Sequence, residues 1–311
     1  MSVYPTNEPA CVEPPDDDAV ELVLEAKPRD VGSLTVARVL PAMKRRLIGP
    51  FCFLDHMGPV DIPPGVGFDI KPHPHIGLST VTYFLAGENV HRDSLGSVQV
   101  NRPGDLNLMR AGRGVVHSER ADPAWRARGG RLHGIQIWLA LPEANEDDAP
   151  SFAHHPAATL PAIARDRVTG RVLIGSAFGA TSPVDHPGAP LLVDLALEPG
   201  ACLDVAVEPA ERGVYVIDGA IRIGRDAITG DQLAVLREGA RARIEADAAS
   251  RVLLVGGPPL PPRVMDWNFV ASSRERIERA KAAWKAQQLA VFPKVPGDDV
   301  EYVPLPELAR G

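Results

Sequence analysis

The stretch KPHPHIGLSTVTYFLAGENVHRDSLG, residues 71–96, joins a His-Pro-His sequence to the apolar run LSTVTYFL and ends in glycine-bounded turns. A β-branched and aromatic run between such turns predicts a β-strand. Similar segments recur around it, namely ELVLEA, LTVARVL, SVQV, DLNLMR, GVVHSE and LHGIQIWLAL. Short strands at this spacing are typical of a β-sandwich or barrel, so we expect one barrel over residues 20–142.

The second half of the chain repeats this pattern without close sequence identity. Its predicted strands are RVLIGSA, LLVDLAL, CLDVAV, GVYVIDGAIRI, QLAVL, ARIEA and RVLLVGG. We therefore expect a second barrel over residues 169–262, and a duplication that rests on pattern alone. Residues 143–168 are acidic and then rich in Pro and Ala, with no strand periodicity. They are interpreted as a linker between the two halves.

The two ends of the chain differ from the barrels. Residues 1–19 are rich in Pro, Asp and Glu and predict a flexible acidic tail. Residues 263–311 predict one short C-terminal helix followed by a proline-rich tail. Ser272 and Glu275 have the spacing of a capping box at the start of this helix. The apolar stripe of the helix consists of Ile277, Ala280, Trp284 and Leu289.

Composition limits the classes of function. The 31 prolines and 28 glycines among 311 residues supply turns but stay below the content of disordered chains. A net charge of −7 argues against direct binding to nucleic acid. The sequence has no apolar run long enough for a membrane helix, no signal peptide and no Cys-x-x-Cys pair. We expect a soluble cytoplasmic protein without a membrane partner, and a monomer because two fused barrels already bury the surface that a dimer would share.

The histidines are concentrated in the first half. Six of the nine lie between positions 56 and 133, and none lies after position 186. Two of the six form the pair His73-Pro-His75, and a third forms the pair His117-Ser-Glu119. Residues two apart on a strand point to one face, about 6 to 7 Å apart. Each pair can therefore present two ligand groups to the interior of a barrel.

If both strands line one barrel, the two pairs supply three neutral imidazoles and one carboxylate. This donor set suits Fe(II), Mn, Co, Ni, Cu or Zn and leaves positions open for a substrate or dioxygen. Either pair alone is more often an exposed strand face or a turn, and it is their occurrence together that indicates a metal site. His56, His91 and His133 could orient the ligands from behind, although ordinary hydrogen-bonded histidines are the preferred interpretation. Lys71, Arg110 and Arg113 are interpreted as a solvated rim, or as cations that attract anionic substrates.

The runs that carry these histidines resemble the pirin family of bicupin proteins. The resemblance covers GPFCFLDHMGP (49–59), residues 71–96, PGDLNLMRAGRGVVHSE (103–119) and GGRLHGIQIWLALP (129–142). Later stretches such as WNFVASSRERIERAKAAW and KVPGDDVEYVPLP are similar to the C-terminal part of bacterial members. The resemblance implies an all-β fold of two tandem cupin barrels (double-stranded β-helix or jelly roll) with a short C-terminal helix.

The resemblance also implies a metal ion in the first cupin and none in the second. The ion would be bound at His73, His75, His117 and Glu119. Ser79 stands where the first cupin motif usually has Glu, and Glu119 replaces the later Asn of the second motif. Many pirins carry Glu at the position of Ser79, so its absence is expected to remove an acid that could position a substrate.

The family is associated with oxidative ring opening of flavonols such as quercetin and with transcriptional regulation through protein partners. The resemblance therefore implies a quercetin 2,3-dioxygenase-type enzyme with a small, flat, flavonol-like substrate. One divalent metal would be the cofactor, with Fe(II) as the first candidate, and Glu119 would be the catalytic acid–base group. The alternatives are a metal- or redox-responsive regulatory protein that acts through a protein partner, and a cupin isomerase or hydrolase.

Overall fold

A computed structural model of the protein describes residues 15–306. Within this range the chain forms 26 strands and two α-helices, α1 (Pro123–Arg128) and α2 (Arg274–Lys285). The strands of the first half are β1 (Val20–Glu25), β2 (Lys27–Val31), β3 (Leu34–Leu40), β4 (Phe51–Ile62), β5 (Ile70–His75), β6 (Leu78–Ala86), β7 (Asn89–Asp93), β8 (Val98–Asn101), β9 (Leu106–Arg110), β10 (Val115–Arg120), β11 (Gly130–Ala140) and β12 (Ser151–His155).

The second half continues with shorter strands. They are β13 (Ala162–Arg165), β14 (Val168–Ile174), β15 (Ser176–Ala177), β16 (Ala180–Thr181), β17 (Leu191–Leu197), β18 (Ala201–Val205), β19 (Glu211–Asp218), β20 (Ala220–Ile223), β21 (Asp226–Thr229), β22 (Gln232–Leu236), β23 (Ala242–Ala246), β24 (Ser250–Gly257), β25 (Val264–Asp266) and β26 (Phe269–Ala271). Neither helix within residues 15–306 has the length and apolarity needed to cross a bilayer.

The two halves have the same strand order. In the first, a seven-stranded sheet β12-β9-β6-β11-β4-β3-β2 is combined with a four-stranded sheet β5-β10-β7-β8. In the second, the orders are β1-β22-β19-β24-β17-β14-β13 and β18-β23-β20-β21. Apart from β12 and β1, each strand of these four sheets has a counterpart at the same place in the other half. The predicted all-β fold of two tandem cupin barrels is therefore confirmed.

The two seven-stranded sheets pack against each other between the barrels. On β11, Ile135 and Ile137 belong to one buried apolar cluster with Leu253 and Val255 of the second half. The residue between them, Gln136, faces the interior of the first barrel instead. Hydrophobic packing covers the outer face of this sheet. Runs such as LHGIQIWLAL are therefore more continuously apolar than the sequence of a strand with one solvent-exposed face.

The ends of the chain connect the two barrels. Strand β1 pairs with β22 in the second barrel, although the predicted first barrel begins at residue 20. At the other end, β26 and α2 leave the second half and pack on the first, where Phe269, Ile277 and Trp284 share a buried cluster with Ile76 and Val116. The domain boundaries themselves stay a prediction.

The structure refines the sequence prediction for the linker, the C-terminal helix and the acidic tail. The expected linker contains the strands β12 and β13, each at the edge of a seven-stranded sheet, where a short strand carries little periodicity. Helix α2 is capped by Ser273, not Ser272, and it ends at Lys285, so Leu289 of the predicted stripe lies beyond the helix and is exposed. Of the expected acidic tail, residues 1–14 lie outside the described residues, while the backbone N–H of Asp16 donates to the carbonyl oxygen of Arg241.

Candidate metal centre

Strands β5 and β10 bring the three predicted imidazoles together. The antiparallel register sets His73 opposite His117 and His75 opposite Val115. All three rings are buried, and each offers a ring nitrogen within 4.8 Å of the other two. The Nε2 atoms of His75 and His117 are 3.1 Å apart. Two nitrogens bound to one ion at about 2.1 Å and a right angle lie about 3.0 Å apart, so this spacing fits a shared metal.

The backbone orients the rings of His73 and His75. The Nδ1–H group of His73 donates to the carbonyl oxygen of Lys71 at 2.8 Å, and that of His75 donates to Asn268 at 2.9 Å. With Nδ1 carrying the proton, each Nε2 keeps its lone pair for the metal. The Asn268 carbonyl lies between β25 and β26, so the C-terminal segment completes a site in the first barrel.

A side-chain relay orients the third ring. His91 donates from Nε2 to the carboxylate of Asp93 at 2.9 Å, which leaves its Nδ1 as an acceptor. The Nδ1 of His117 lies 3.5 Å from that atom and points its proton towards it, a long hydrogen bond. His117 thus also has a bare Nε2. Two buried lone pairs facing each other without a donor between them need a cation, and the donor set therefore fits a metal ion.

Burial keeps these imidazoles neutral. Desolvation lowers the pKa of His73 to about 4. It also lowers the pKa values of His75 and His117 well below the ordinary value, with further lowering by the neighbouring imidazoles. For Asp93, burial raises the pKa, but the hydrogen bonds from His91 and the Ser97 amide outweigh it and lower the pKa below its usual value. Neutral imidazole is the form that binds a metal.

Glu119 lies on the wall of the same cavity. Its Oε1 accepts hydrogen bonds from Thr82 Oγ1 at 3.2 Å and from Asn89 Nδ2 at 3.3 Å. Burial raises its pKa, an effect that the electrostatic interaction with His91 and these two hydrogen bonds only partly offset. Among the described residues, the group of mutually close ligand atoms contains the three histidines and not Glu119. The role of Glu119 as fourth ligand stays a prediction.

The imidazoles open into a cavity of about 700 Å³, a size typical of small-molecule sites. Phe53 and Trp138 form one wall, with ring centroids 4.0 Å apart and an angle of 12° between the rings. Trp138 also meets His75 edge to face at 5.1 Å. Trp267 and Val303 of the C-terminal region contribute to the wall as well.

The other predicted residues lie in different places. His56 and His133 bond to each other at 2.8 Å through their Nε2 atoms, and His56 also bonds to Asp231 of the second half. They are ordinary hydrogen-bonded histidines, whereas His91 does contact a candidate ligand. Ser79 is buried away from the cavity and contacts His186, so a glutamate there would face the second half and not the substrate.

Two of the three cations predicted for the rim are paired with carboxylates. Lys71 lines the cavity but pairs with Glu301, and Arg110 contacts Asp185 of the second half. The sequence analysis missed Arg38, which lines the cavity together with its partner Asp55. The alternation of LTVARVL places Arg38 on the same strand face as Val36, and this was the available signal.

Comparisons with known proteins agree with this architecture. The sequence pattern of the Pirin family matches residues 33–139, and that of the Pirin C-terminal cupin domain matches residues 192–290. A pirin-like protein of Caulobacter vibrioides is 44% identical over 292 residues, which cover 93% of this chain and 100% of that protein. Human pirin is 33% identical over 67% of this chain and 73% of its own length.

A solved structure is similar over almost the same length. The crystal structure of quercetin 2,3-dioxygenase from Acinetobacter baumannii superposes with a TM-score of 0.86 at 34% identity. The match covers 93% of this chain and 96% of that one. Both barrels are therefore part of the similarity.

Proposed function

The chain belongs to the pirin family, and on that premise we propose that it is a metal-dependent dioxygenase that opens the ring of quercetin-type flavonols. The observation that carries the proposal is the convergence of three neutral imidazoles, each with an unprotonated Nε2, on a cavity whose wall contains the stacked pair Phe53–Trp138. A relative with 34% identity is named quercetin 2,3-dioxygenase, which supports the same reaction.

In this proposal His73, His75, His117 and Glu119 hold the ion. Fe(II) is the first candidate, and Mn, Co, Ni, Cu and Zn suit the same donors. When bound, the metal lowers the pKa of a coordinated hydroxyl group and keeps positions open for substrate and dioxygen. The carbonyl groups of Lys71 and Asn268 keep two of the imidazoles in the ligating tautomer.

Glu119 is the proton acceptor for the 3-hydroxyl group of the flavonol. Because burial raises the pKa of its carboxyl group, the carboxylate holds a proton more strongly than an exposed one would. Thr82 and Asn89 donate to Oε1, which leaves Oε2 as the oxygen that takes the proton. The stacked pair Phe53–Trp138 gives this part of the cavity an aromatic lining, along which the ring system of the flavonol lies.

The test uses purified protein loaded separately with each metal. Oxygen uptake and loss of flavonol absorbance are followed together, after the metal of the native protein has been identified. Uptake by at least one redox-active form is expected. No uptake in the Fe, Mn, Co, Ni and Cu forms would exclude the dioxygenase and favour the partner-binding regulator, and zinc as the native metal would exclude redox switching.

The role of Glu119 is tested by Glu119→Gln, an isosteric change that removes the proton acceptor. Turnover should fall by about 10²- to 10⁴-fold, the usual contribution of a general base, while metal content falls by less than half. Glu245→Gln, on the outside of the second barrel, is the matched control and should change neither. Equal losses of turnover and metal would make Glu119 a structural ligand only.

A further inference from the structure

Arg38 is a fixed cation on the cavity wall. It lies on β3 directly opposite Asp55 of β4, and its Nε and Nη2 groups donate to the two carboxylate oxygens at 2.7 Å each. The side chain of Asp55 is 5% exposed and that of Arg38 is 27% exposed. A bidentate pair of this kind holds the guanidinium in one orientation.

The guanidinium continues the aromatic wall. Its Cζ lies 4.3 Å from the ring centroid of Phe53, which stacks on Trp138, which in turn contacts His75. The row therefore runs from a candidate metal ligand through two aromatic rings to a cation. A flat substrate that lies along this row has the metal at one end and Arg38 at the other.

Arg38 keeps donors that the protein does not use. Its Nη1 group makes no hydrogen bond within residues 15–306, and it is not among their buried unsatisfied atoms. The other cations of the wall differ from it: Lys71 pairs with Glu301, and Arg46 is exposed. A pre-oriented guanidinium with unused donors is suited to an oxygen of a bound ligand.

We propose that Arg38 is a specificity-determining residue that donates from Nη1 to an oxygen of the substrate at its end of the aromatic row. The site thereby selects flat aromatic compounds that carry a hydroxyl, phenolate or carboxylate oxygen there, in addition to the group that meets the metal. This inference rests on the proposed function and names the substrate class of the same site.

The test compares two flavonols. Quercetin carries further hydroxyl groups, whereas 3-hydroxyflavone keeps only the 3-hydroxyl and carbonyl groups that would meet the metal. Both are titrated without oxygen into metal-loaded protein, and Kd is measured by calorimetry. Two variants are compared with the wild type. Arg38→Lys keeps a positive charge beside Asp55 and removes Nη1, and the double variant Arg38→Met with Asp55→Asn avoids leaving a buried unpaired carboxylate.

In both variants the Kd for quercetin should rise about 10- to 100-fold, as expected for loss of a hydrogen bond to a charged group. The Kd for 3-hydroxyflavone should change less than twofold. Arg222→Met removes an equal charge from the outside of the second barrel, and it should change both Kd values less than threefold. Equal weakening of both ligands by the Arg38 variants, an unchanged Kd for quercetin, or no binding of either ligand to the wild type would overturn the proposal.

Because binding is measured without turnover, the two proposals fail separately. Selective loss of quercetin binding in the variants, together with no oxygen uptake by the wild type, would exclude the dioxygenase activity and support Arg38 as the specificity-determining residue. Oxygen uptake by the wild type, together with equally weakened binding of both flavonols in the variants, would exclude the proposed role of Arg38 and support the dioxygenase activity.

Discussion

The two barrels have the same strand order and different interiors. In the first, β10 and β5 place His117 opposite His73. In the second, the strands at the same place, β23 and β18, place Ile244 opposite Leu203. All four side chains are buried. The strand order therefore does not decide whether a barrel binds metal; the residues that face its interior do.

The difference extends beyond the ligands. The second barrel has a core cluster made of aliphatic side chains together with Phe178, which is the interior of an ordinary β-domain. The first has a polar row across its inner face, where Thr82 bonds to Gln136 and to Glu119, and Asp55 to Arg38. Buried polar groups contribute less to stability than hydrocarbon. The first barrel is supported from outside, by the contact between the barrels and by the cluster around α2.

The largest effect, on metal affinity, should come from replacing ligands of the first barrel by apolar residues like those inside the second. In His73→Leu with His117→Leu, two of the three imidazoles are lost and metal affinity should fall more than about 100-fold, measured by titration with Fe(II) or Ni(II). The barrel should remain folded, because Leu203 and Ile244, which face each other on the corresponding strands of the second barrel, are part of a stable core.

Leu203→Ala is the matched change in the second barrel. It should lower the free energy of unfolding by about 2–5 kcal/mol through the cavity that it leaves, with metal content unchanged. Urea unfolding and metal analysis of both proteins test the comparison. If Leu203→Ala also removed the metal, the two interiors would not be independent.

A smaller effect is expected from the relay behind His117. The rings of His91 and Phe152 stack with centroids 4.2 Å apart. In His91→Phe the new ring can keep this stacking, but the acceptor for His117 Nδ1–H is lost. Metal affinity should fall about 10-fold, at the lower end for residues that orient a ligand, because the hydrogen bond is long. His133→Phe, a change at a histidine outside the relay, should leave metal affinity unchanged. Equal affinities of wild type and His91→Phe would show that Asp93 and His91 do not orient His117.

The sequence predicted the parts of the fold and site that have local signatures. Two strand sets, the histidine pairs and the absence of histidine after position 186 were sufficient to distinguish the barrels. The pairing of Arg38 with Asp55 could not be predicted, because it depends on the register between β3 and β4. The contact from Asn268 to His75 joins residues 193 positions apart through a backbone oxygen, which has no side-chain signature.

The position of Ser79 illustrates the same limit. The family pattern suggested a missing acid near the substrate, but Ser79 has the strand parity of Val81 and Tyr83, which face the second half. There its Oγ accepts a hydrogen bond from His186 Nε2 at 3.1 Å, while His186 Nδ1 accepts from the Gly188 amide. A motif gives the residue type at a position, and only the register of the strand gives the face.

The last prediction concerns this contact between the halves and the pH dependence of stability. Burial, with repulsion from Arg110, lowers the pKa of His186 from 6.5 to about 3. Between these values the unfolded chain binds a proton and the folded chain does not, so stability falls as the pH falls below 6.5. At pH 5 this costs about 2 kcal/mol relative to pH 7. In His186→Asn the loss between pH 7 and pH 5, measured by urea unfolding, should be smaller by about that amount.

Ser79→Ala separates the titration from the hydrogen bond. It removes the acceptor but leaves the imidazole buried, so it should lower stability by about 1–3 kcal/mol at both pH values and keep the full pH dependence. The same pH dependence of stability in wild type and His186→Asn would mean that His186 has the same pKa in the folded and unfolded states. In that case the contact between Ser79 and His186 would hold the two barrels together without making their association sensitive to acid, and the histidines of the first barrel would account for the acid sensitivity.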